Sequence, residues 1–262
     1  MKTLILYDID GTITNVADFA ERNFKSSYET LSSNNRDLRL NPRNLESAWQ
    51  AYKKHEGGSD SEVYSSIFRS LGFGGIELMA ITEDFIQIVR SNTPKVLTQM
   101  GDKYNAKKGI EAILRSGRER ESLSQGVETA NSVEAAQYKL QHVGLDGYFQ
   151  KRNGFILGGY STDRNPKGEQ AQSRRDIIEA GISKFSENGL INNGTKIWII
   201  DDSEHAISAV KEKNGKDMYV AWFADGKTPS EIEQVRRKMQ PDLVLKEWSN
   251  PEDFFNLLNS IK

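Results

Sequence analysis

The sequence predicts an α/β fold, a mostly parallel sheet with helices on both faces, interrupted near its start by an inserted all-α block. Three observations carry this. Two continuous apolar runs, "TLILYD" at 3–8 and "KIWIIDDS" at 196–203, do not alternate with polar residues, which is the mark of strands buried on both faces. Beyond about residue 100 strand-like and helix-like stretches take turns, as they do when a parallel sheet is covered on both faces. Between the first strand and that region, only helical spacing is found.

Taken in order, "TLILYD" is the first strand and the "DG" that follows is a turn signal. Four helices come next, each marked by apolar residues three or four apart: Phe24, Tyr28 and Leu31; Leu45, Trp49 and Tyr52; Val63, Ile67 and Leu71; Leu78, Ile81, Phe85 and Ile88. Polar breaks separate them, "SSNNRD", "EGGSD" and "GFGG". A bundle of this size buries its own small core, and its aromatics belong to that core. "AKKGIEAILRSG" reads as a helix stopping at Gly117. Residues 118–129, "RERESLSQGVET", must then supply a strand, although a central parallel strand should be more apolar than this. "SVEAAQYKLQHVG" is a helix capped by Ser132, with Val133, Ala136, Leu140 and Val143 on one face and Gly144 as its stop. "GFILGG" is a short strand, and a polar loop leads to the helix "SRRDIIEAGISKF". "KIWIID", "MYVAWF" and "DLVLKEW" are further strands, with "PSEIEQVRRKM" and "PEDFFNLLNSI" as helices that begin on proline. The expected organisation is a Rossmann-like core of residues 1–15 and 93–262, with a helical cap at 16–92.

Composition narrows the function. A 262-residue chain of net charge −2 offers no basic footprint for nucleic acid. The clusters Arg174-Arg175 and Arg236-Arg237-Lys238 read as solvated helix faces. The absence of cysteine excludes disulfides, thiolate metal sites and a cysteine nucleophile, and fits a reducing cytoplasm. Every apolar run is too short for a membrane span. The expected partner is a small molecule, with the chain a monomer or homodimer.

The chemistry lies at the strand ends. In open parallel sheets ligands bind at the carboxyl ends of the strands. Asp8 and Asp10 follow the first strand, and Asp201 and Asp202 follow "IWII". Taken singly, either pair also fits a turn former or a helix cap. Together they bring like charges to one edge, which a cation between them would reconcile. Few, hard oxygen ligands favour Mg²⁺. One such carboxylate can attack phosphorus, and a second, two residues on, can protonate the leaving oxygen and later deprotonate water.

"DIDGT" at 8–12 resembles the first motif, Asp-x-Asp-Gly-Thr, of the haloacid dehalogenase-like (HAD) superfamily, and the helical block sits where that family carries a C1-type cap. The resemblance implies Asp8 as nucleophile and Asp10 as acid/base, with the Asp10 backbone carbonyl and Asp202 joining Asp8 at Mg²⁺. Family members with the second aspartate are phosphatases and phosphomutases rather than dehalogenases. "TANSVEAAQYKLQHVGLDGYF" is similar to the family's Thr-Gly-Asn stretch, which makes Thr129 the phosphoryl-binding hydroxyl, with Ala130 in the usual glycine position; counting from the preceding helix selects Ser124 instead. Thr12, Ala130, Asn131 and Lys167 are the implied substrate-binding residues. "SRRDII" resembles the Arg-Asn-Glu-Leu form of the phosphoglycolate phosphatase-like branch, and its spacing to the fourth motif suits Arg175 as the cation, with Arg174 and Lys167 as rivals. The fourth motif is "IDDSEHA": Asp201 stands where glycine is common, Ala206 where a second aspartate is expected, with Glu204 or water as substitutes, and His205 reads as a loop residue. The expected activity is Mg²⁺-dependent hydrolysis of a small phosphorylated metabolite through an aspartyl-phosphate. The alternatives are a phosphomutase using the same aspartates and a binding protein that keeps the fold without catalysis.

Overall fold

The computed structural model describes residues 2–15, 18–35, 37–55, 60–164, 168, 170, 171, 173–213 and 217–261. Its main sheet has six strands: β1 (Thr3–Tyr7), β2 (Leu123–Thr129), β5 (Gly158–Tyr160), β6 (Lys196–Asp201), β7 (Met218–Phe223) and β8 (Leu243–Leu245). Every pairing in it is parallel, in the order β5-β2-β1-β6-β7-β8. The "GFILGG" stretch divides: β3 (Lys151–Arg152) and β4 (Phe155–Ile156) form a small antiparallel pair, and β5 joins the main sheet.

The unbroken apolar run of β1 is explained by its two faces. Ile5 and Tyr7 pack with Ile110, Ile113 and Leu114 of helix α5 (Ile110–Arg118), Leu140 of α6 (Val133–His142) and Phe254 of α10 (Pro251–Ser260). Leu4 and Leu6 face Phe185 of α7 (Arg174–Glu187), Ile207 of α8 (Glu204–Lys213) and Ile232 of α9 (Pro229–Met239). Successive strand residues point to opposite faces, so a strand covered twice must be apolar throughout.

Strand β2 is the polar segment that the pattern required. Its buried polarity is satisfied rather than avoided. The Gln125 amide donates to Leu114 O at 2.9 Å and accepts from the Tyr7 hydroxyl at 3.3 Å. Gly117 lies inside α5 instead of stopping it: a Cβ there would come within 2.2 Å of Gln125 Oε1, so the glycine seats that side chain. Gly126 likewise lies where a Cβ would be 2.6 Å from the Phe185 ring.

The inserted helices are α1 (Phe19–Asn34), α2 (Leu45–His55), α3 (Asp60–Ser70) and α4 (Gly75–Met100). Phe24, Trp49, Tyr64, Phe68 and Phe85 form their shared core, separate from those of the sheet. Helix α4 continues past residue 92, where the sequence pattern ends the block, and through Pro94. Its last turns bury Val96, Leu97 and Met100 against Phe19 and Tyr104, so one helix belongs to both halves of the molecule. Among the described residues, no helix is long and apolar enough to cross a membrane.

Candidate active site

The site is built at the adjacent carboxyl ends of β2, β1 and β6. Tyr7 pairs with Val127 on one side and Ile200 on the other. One residue further on, Asp8, Glu128 and Asp201 lie level on three neighbouring strands. Strands sit about 4.8 Å apart, so this register stacks three carboxylates side by side. All three are buried. Such crowding demands a cation, and Arg174 supplies it. Its guanidinium is 2.9 Å from Asp8 Oδ1, 2.9 Å from Glu128 Oε2, and in contact with Asp201 Oδ2.

Arg174 gets there because Ser173 and Asp176 form a capping box that starts α7 at Arg174. The helix buries Arg174, Ile177, Ile178, Gly181 and Phe185, an i, i+3, i+4, i+7, i+11 stripe. Arg175 falls off that stripe. Its side chain is 49% exposed and pairs with Glu179 at 3.1 Å, so it takes no part in the site. The structure therefore corrects two expectations: Arg174 is no solvated surface charge, and the cation beside Asp8 is Arg174 rather than Arg175. Lys167 lies outside the described residues.

The "DIDGT" turn is closed by hydrogen bonds from the Ile13 and Thr14 amides to Ile9 O, at 3.0 and 2.9 Å. Gly11 has φ +86°, and a Cβ on it would lie 2.1 Å from Asp202 Oδ2. Only glycine allows Asp202 to lie over the turn. Thr12 is fully buried beneath it, offering its hydroxyl to Asp202 Oδ1 at 3.5 Å and its carbonyl to Trp248 Nε1 at 3.1 Å. It is not in the cavity wall, contrary to the substrate-binding role expected of it, because its hydroxyl and carbonyl are taken up by Asp202 and Trp248.

Asp10 occupies a different electrostatic setting. Its carboxylate accepts from Asn131 Nδ2 at 2.9 Å, from the Tyr104 hydroxyl at 3.0 Å and from Lys139 Nζ. Asn131 also donates to Thr129 Oγ1 at 2.6 Å and accepts from Lys139 at 2.7 Å, which ties the end of β2 to the first-strand turn. Ser124, the rival to Thr129, is paired opposite Leu4 near the far end of the strand. Burial works to raise Asp10, but the charge of Lys139 and the three hydrogen bonds outweigh it and hold the carboxyl below its ordinary value. Asp8 moves the other way. Burial raises it well above the usual range, Arg174 opposes this, and Asp201, Asp202 and Asp10 add to the rise. Asp202 is pushed up to about 7 by burial and then by Asp201.

Asp8, Asp201 and Asp202 each offer an oxygen within 4.8 Å of the others. Octahedral Mg²⁺ at 2.0–2.1 Å puts its ligand oxygens about 2.9–4.2 Å apart, so small side-chain shifts would close this set on the ion. The donors are all hard oxygens, and their mutual repulsion is what a divalent cation relieves. The residues present fit Mg²⁺. Asp201, at a position where the sequence pattern favours glycine, is part of this set. It also accepts from the Ser203 amide at 2.6 Å. Glu204 is not in it; its carboxylate is 3.5 Å from Lys238. Ala206 is buried in the apolar layer and offers no ligand. His205 lines the cavity wall from an exposed position.

A cavity of about 700 Å³ opens over these groups. Its floor includes Asp8, Asp10, Thr129, Ala130, Asn131, Lys139 and Arg174, and its roof comes from α1, α2, α3 and α4, with Phe19, Asn23, Tyr52, Asp60, Tyr64 and Arg90. The sequence reading missed Lys139, Glu128, Tyr104, Asp60 and Arg90. For Lys139 and Glu128 a signal exists: Lys139 lies four residues after Ala135, on the buried side of α6, and Glu128 matches Asp8 and Asp201 in register.

No family model matches the sequence, and no curated protein matches it significantly. Solved structures do match, over nearly the whole length of both chains. A predicted phosphatase from Clostridium acetobutylicum is 17% identical, covers 99% of each chain and has a TM-score of 0.61. The fold is that of the HAD-like hydrolases. A HAD hydrolase of family IA, variant 3, from Entamoeba histolytica is 13% identical over 99% of this chain and 100% of its own, with a TM-score of 0.62. A HAD hydrolase from Bacillus subtilis, solved bound to magnesium, is 15% identical over 98% and 99%, with a TM-score of 0.50. In the HAD-like fold of this chain, the carboxylates that the sequence places after β1 and β6 converge on one cavity floor.

Proposed function

We propose that this chain is a Mg²⁺-dependent phosphatase acting on a small phosphate ester, with Asp8 as nucleophile and the α1–α4 block as a cap over the site. The observation that carries the reading is the division of labour between Asp8 and Asp10. Asp8 sits with Asp201 and Asp202 in a set fit for a cation, 2.9 Å from Arg174, while Asp10 is held apart by Lys139, Asn131 and Tyr104.

Asp8 Oδ attacks phosphorus as the bond to the leaving oxygen breaks, and that oxygen takes the proton of the Asp10 carboxyl. Asp10, now a carboxylate, accepts a proton from water, whose oxygen attacks the same phosphorus and frees Asp8 and inorganic phosphate. Arg174 and Lys139 donate to the phosphoryl oxygens, and Thr129 and Asn131 orient them. A phosphoryl group drawing on Lys139 loosens its hold on Asp10, which lets Asp10 take up the proton it must deliver. Mg²⁺ held by Asp8, Asp201 and Asp202 would offset phosphoryl charge and fix the ester in line. The roof excludes water during the first transfer.

The test is hydrolysis of p-nitrophenyl phosphate and a panel of phosphate monoesters with and without Mg²⁺, alongside trapping of the acyl phosphate. Asp8→Asn is expected to abolish both turnover and the trapped adduct. An unchanged rate in that variant, or no hydrolysis of any ester by the wild type, would overturn the reading.

A further inference from the structure

The roof of the cavity holds a second carboxylate whose hydrogen-bonding capacity is nearly unused. Asp60 opens α3 and its side chain is 20% exposed, in the wall of the same cavity as Asp10 and Lys139. An ionised carboxylate has about four acceptor sites and forms charge-assisted bonds near 2.7–2.9 Å. Among the described residues, Asp60 has only a long bond from Ser161 Oγ at 3.5 Å and Arg90 Nη2 at 3.8 Å. Arg90 is no better served, since its Nε and Nη2 make no hydrogen bond among the described residues. The helix dipole favours an acid in the first turn of α3, but an exposed acid would meet that preference. It does not explain why this one is turned into the cavity.

We propose that Asp60 is a specificity-determining residue that accepts a hydrogen bond from a hydroxyl of the substrate, so that the enzyme takes polyol or sugar phosphates and rejects phosphate esters bearing a carboxylate. This rests on the phosphatase reading and deepens it. The choice among groups follows from the neighbours. A carboxylate has no donor to offer Asp60 and brings like charge against it. An ammonium would meet Arg90 at the same spot, with Lys139 nearby. A hydroxyl donates to Asp60, carries no charge, and leaves its own lone pairs for a donor. Asn23 and Tyr64 line the cavity as well, the Asn23 amide donating to Val89 O and Thr93 Oγ1. Burial pushes the Asp60 carboxyl up to about 6, against the opposing pull of Arg90 and Lys139. It is therefore an acceptor at neutral pH.

Binding is measured by calorimetry on the non-turning Asp8→Asn protein with Mg²⁺, using glycerol 3-phosphate against 3-phosphoglycerate, probes of equal carbon number. Glycerol 3-phosphate is expected to bind at least tenfold more tightly. Adding Asp60→Asn should shrink that ratio by about ten- to hundredfold, as expected for one hydrogen bond to a charged group, and Asp60→Glu should restore part of it. Thermal melts verify that each variant is folded. Tighter binding of 3-phosphoglycerate, or a ratio that Asp60→Asn leaves unchanged, would overturn the proposal. Because the readout is binding, it stands or falls whether or not the wild type proves to hydrolyse phosphate esters.

Discussion

The floor and the roof of the cavity use charge in opposite ways. On the floor, five carboxylates (Asp8, Asp10, Glu128, Asp201, Asp202) gather around two cations, Arg174 and Lys139, and the contacts are short. In the roof, Asp60 and Arg90 stand 3.8 Å apart near aromatic side chains, with the exposed Lys53 as a further cation. The floor is fixed by strand register, which forces neighbouring carboxylates to a common level. The roof is carried by helices with their own core, whose inward faces are free to differ. A floor overloaded with negative charge suits one reaction, and a sparsely charged roof suits the choice of substrate.

The comparison breaks most severely at the floor's centre. Arg174→Ala leaves Glu128 and Asp201 buried without their partner, and losing one member of a buried ion group costs about 3–5 kcal/mol. Turnover is expected to fall at least a thousandfold as the phosphoryl group loses its donor. Arg175→Ala, one residue away and half exposed, should change stability by less than about 0.5 kcal/mol and leave turnover intact. Chemical denaturation and steady-state kinetics on the pair check this. Equal effects would return the role to Arg175.

The excess of floor carboxylates gives the next effect. Mg²⁺ should raise the melting temperature, since binding the folded state at a hundred times Kd contributes about 2.7 kcal/mol. Asp202→Asn should remove that shift while making the metal-free protein no less stable, because Asp202 is raised to about 7 by burial and by Asp201. A melting temperature indifferent to Mg²⁺ would count against the cation site.

Why the floor was legible in the sequence, and the roof was not, follows from the same geometry. A strand end fixes where the next side chain goes, so "DIDGT" and "IDDS" announced Asp8, Asp10 and Asp202 directly. The choice between Arg174 and Arg175 needed the helix phase. Ile177, Ile178 and Gly181 place Arg174 on their stripe, and reckoning by distance to the next motif overlooked this. Lys139 was hidden because a lysine on a buried helix face looks like an error in an apolar pattern, until its reach back toward Asn131 and Asp10 is seen. Strand β2 looked too polar because its satisfaction comes from Tyr7, far away in sequence, and from the Leu114 carbonyl of the preceding helix. Asp60 and Arg90 carry no local signal at all: which side of a cap helix faces the site depends on how the block docks.

Lys139 is the floor's second cation, and its removal tests the separation of the two aspartates. Lys139 holds Asp10 below its ordinary value. A carboxyl depressed in the folded state adds stability above its unfolded value and loses it as pH falls through the folded one. Lys139→Met should remove this contribution, so that the variant's stability deficit is largest at neutral pH and narrows in acid. The alkaline limb of the pH–rate profile, where Asp10 loses the proton it must deliver, should also move to higher pH as Asp10 becomes easier to protonate. An unmoved limb would mean that Asp10 is not the group that titrates there.

The smallest effect distinguishes the roof by its sign. Asp60 is raised from 3.8 to about 6 by burial. The folded protein therefore holds that proton more firmly than the unfolded chain. Its stability falls as pH rises from about 4 to about 6 and stays lower above that. A carboxylate kept ionised here at neutral pH is a cost, on the order of 1–3 kcal/mol at 1.36 kcal/mol per pH unit. Asp60→Asn should accordingly stabilise the metal-free protein at pH 8 and make little difference at pH 4, reduced in size by whatever attraction to Arg90 is lost. Chemical denaturation at the two pH values checks it. A residue that weakens the fold while lining the cavity is the signature of a group retained for binding rather than for stability; if Asp60→Asn destabilised the protein at pH 8, Asp60 would instead be a structural partner of Arg90.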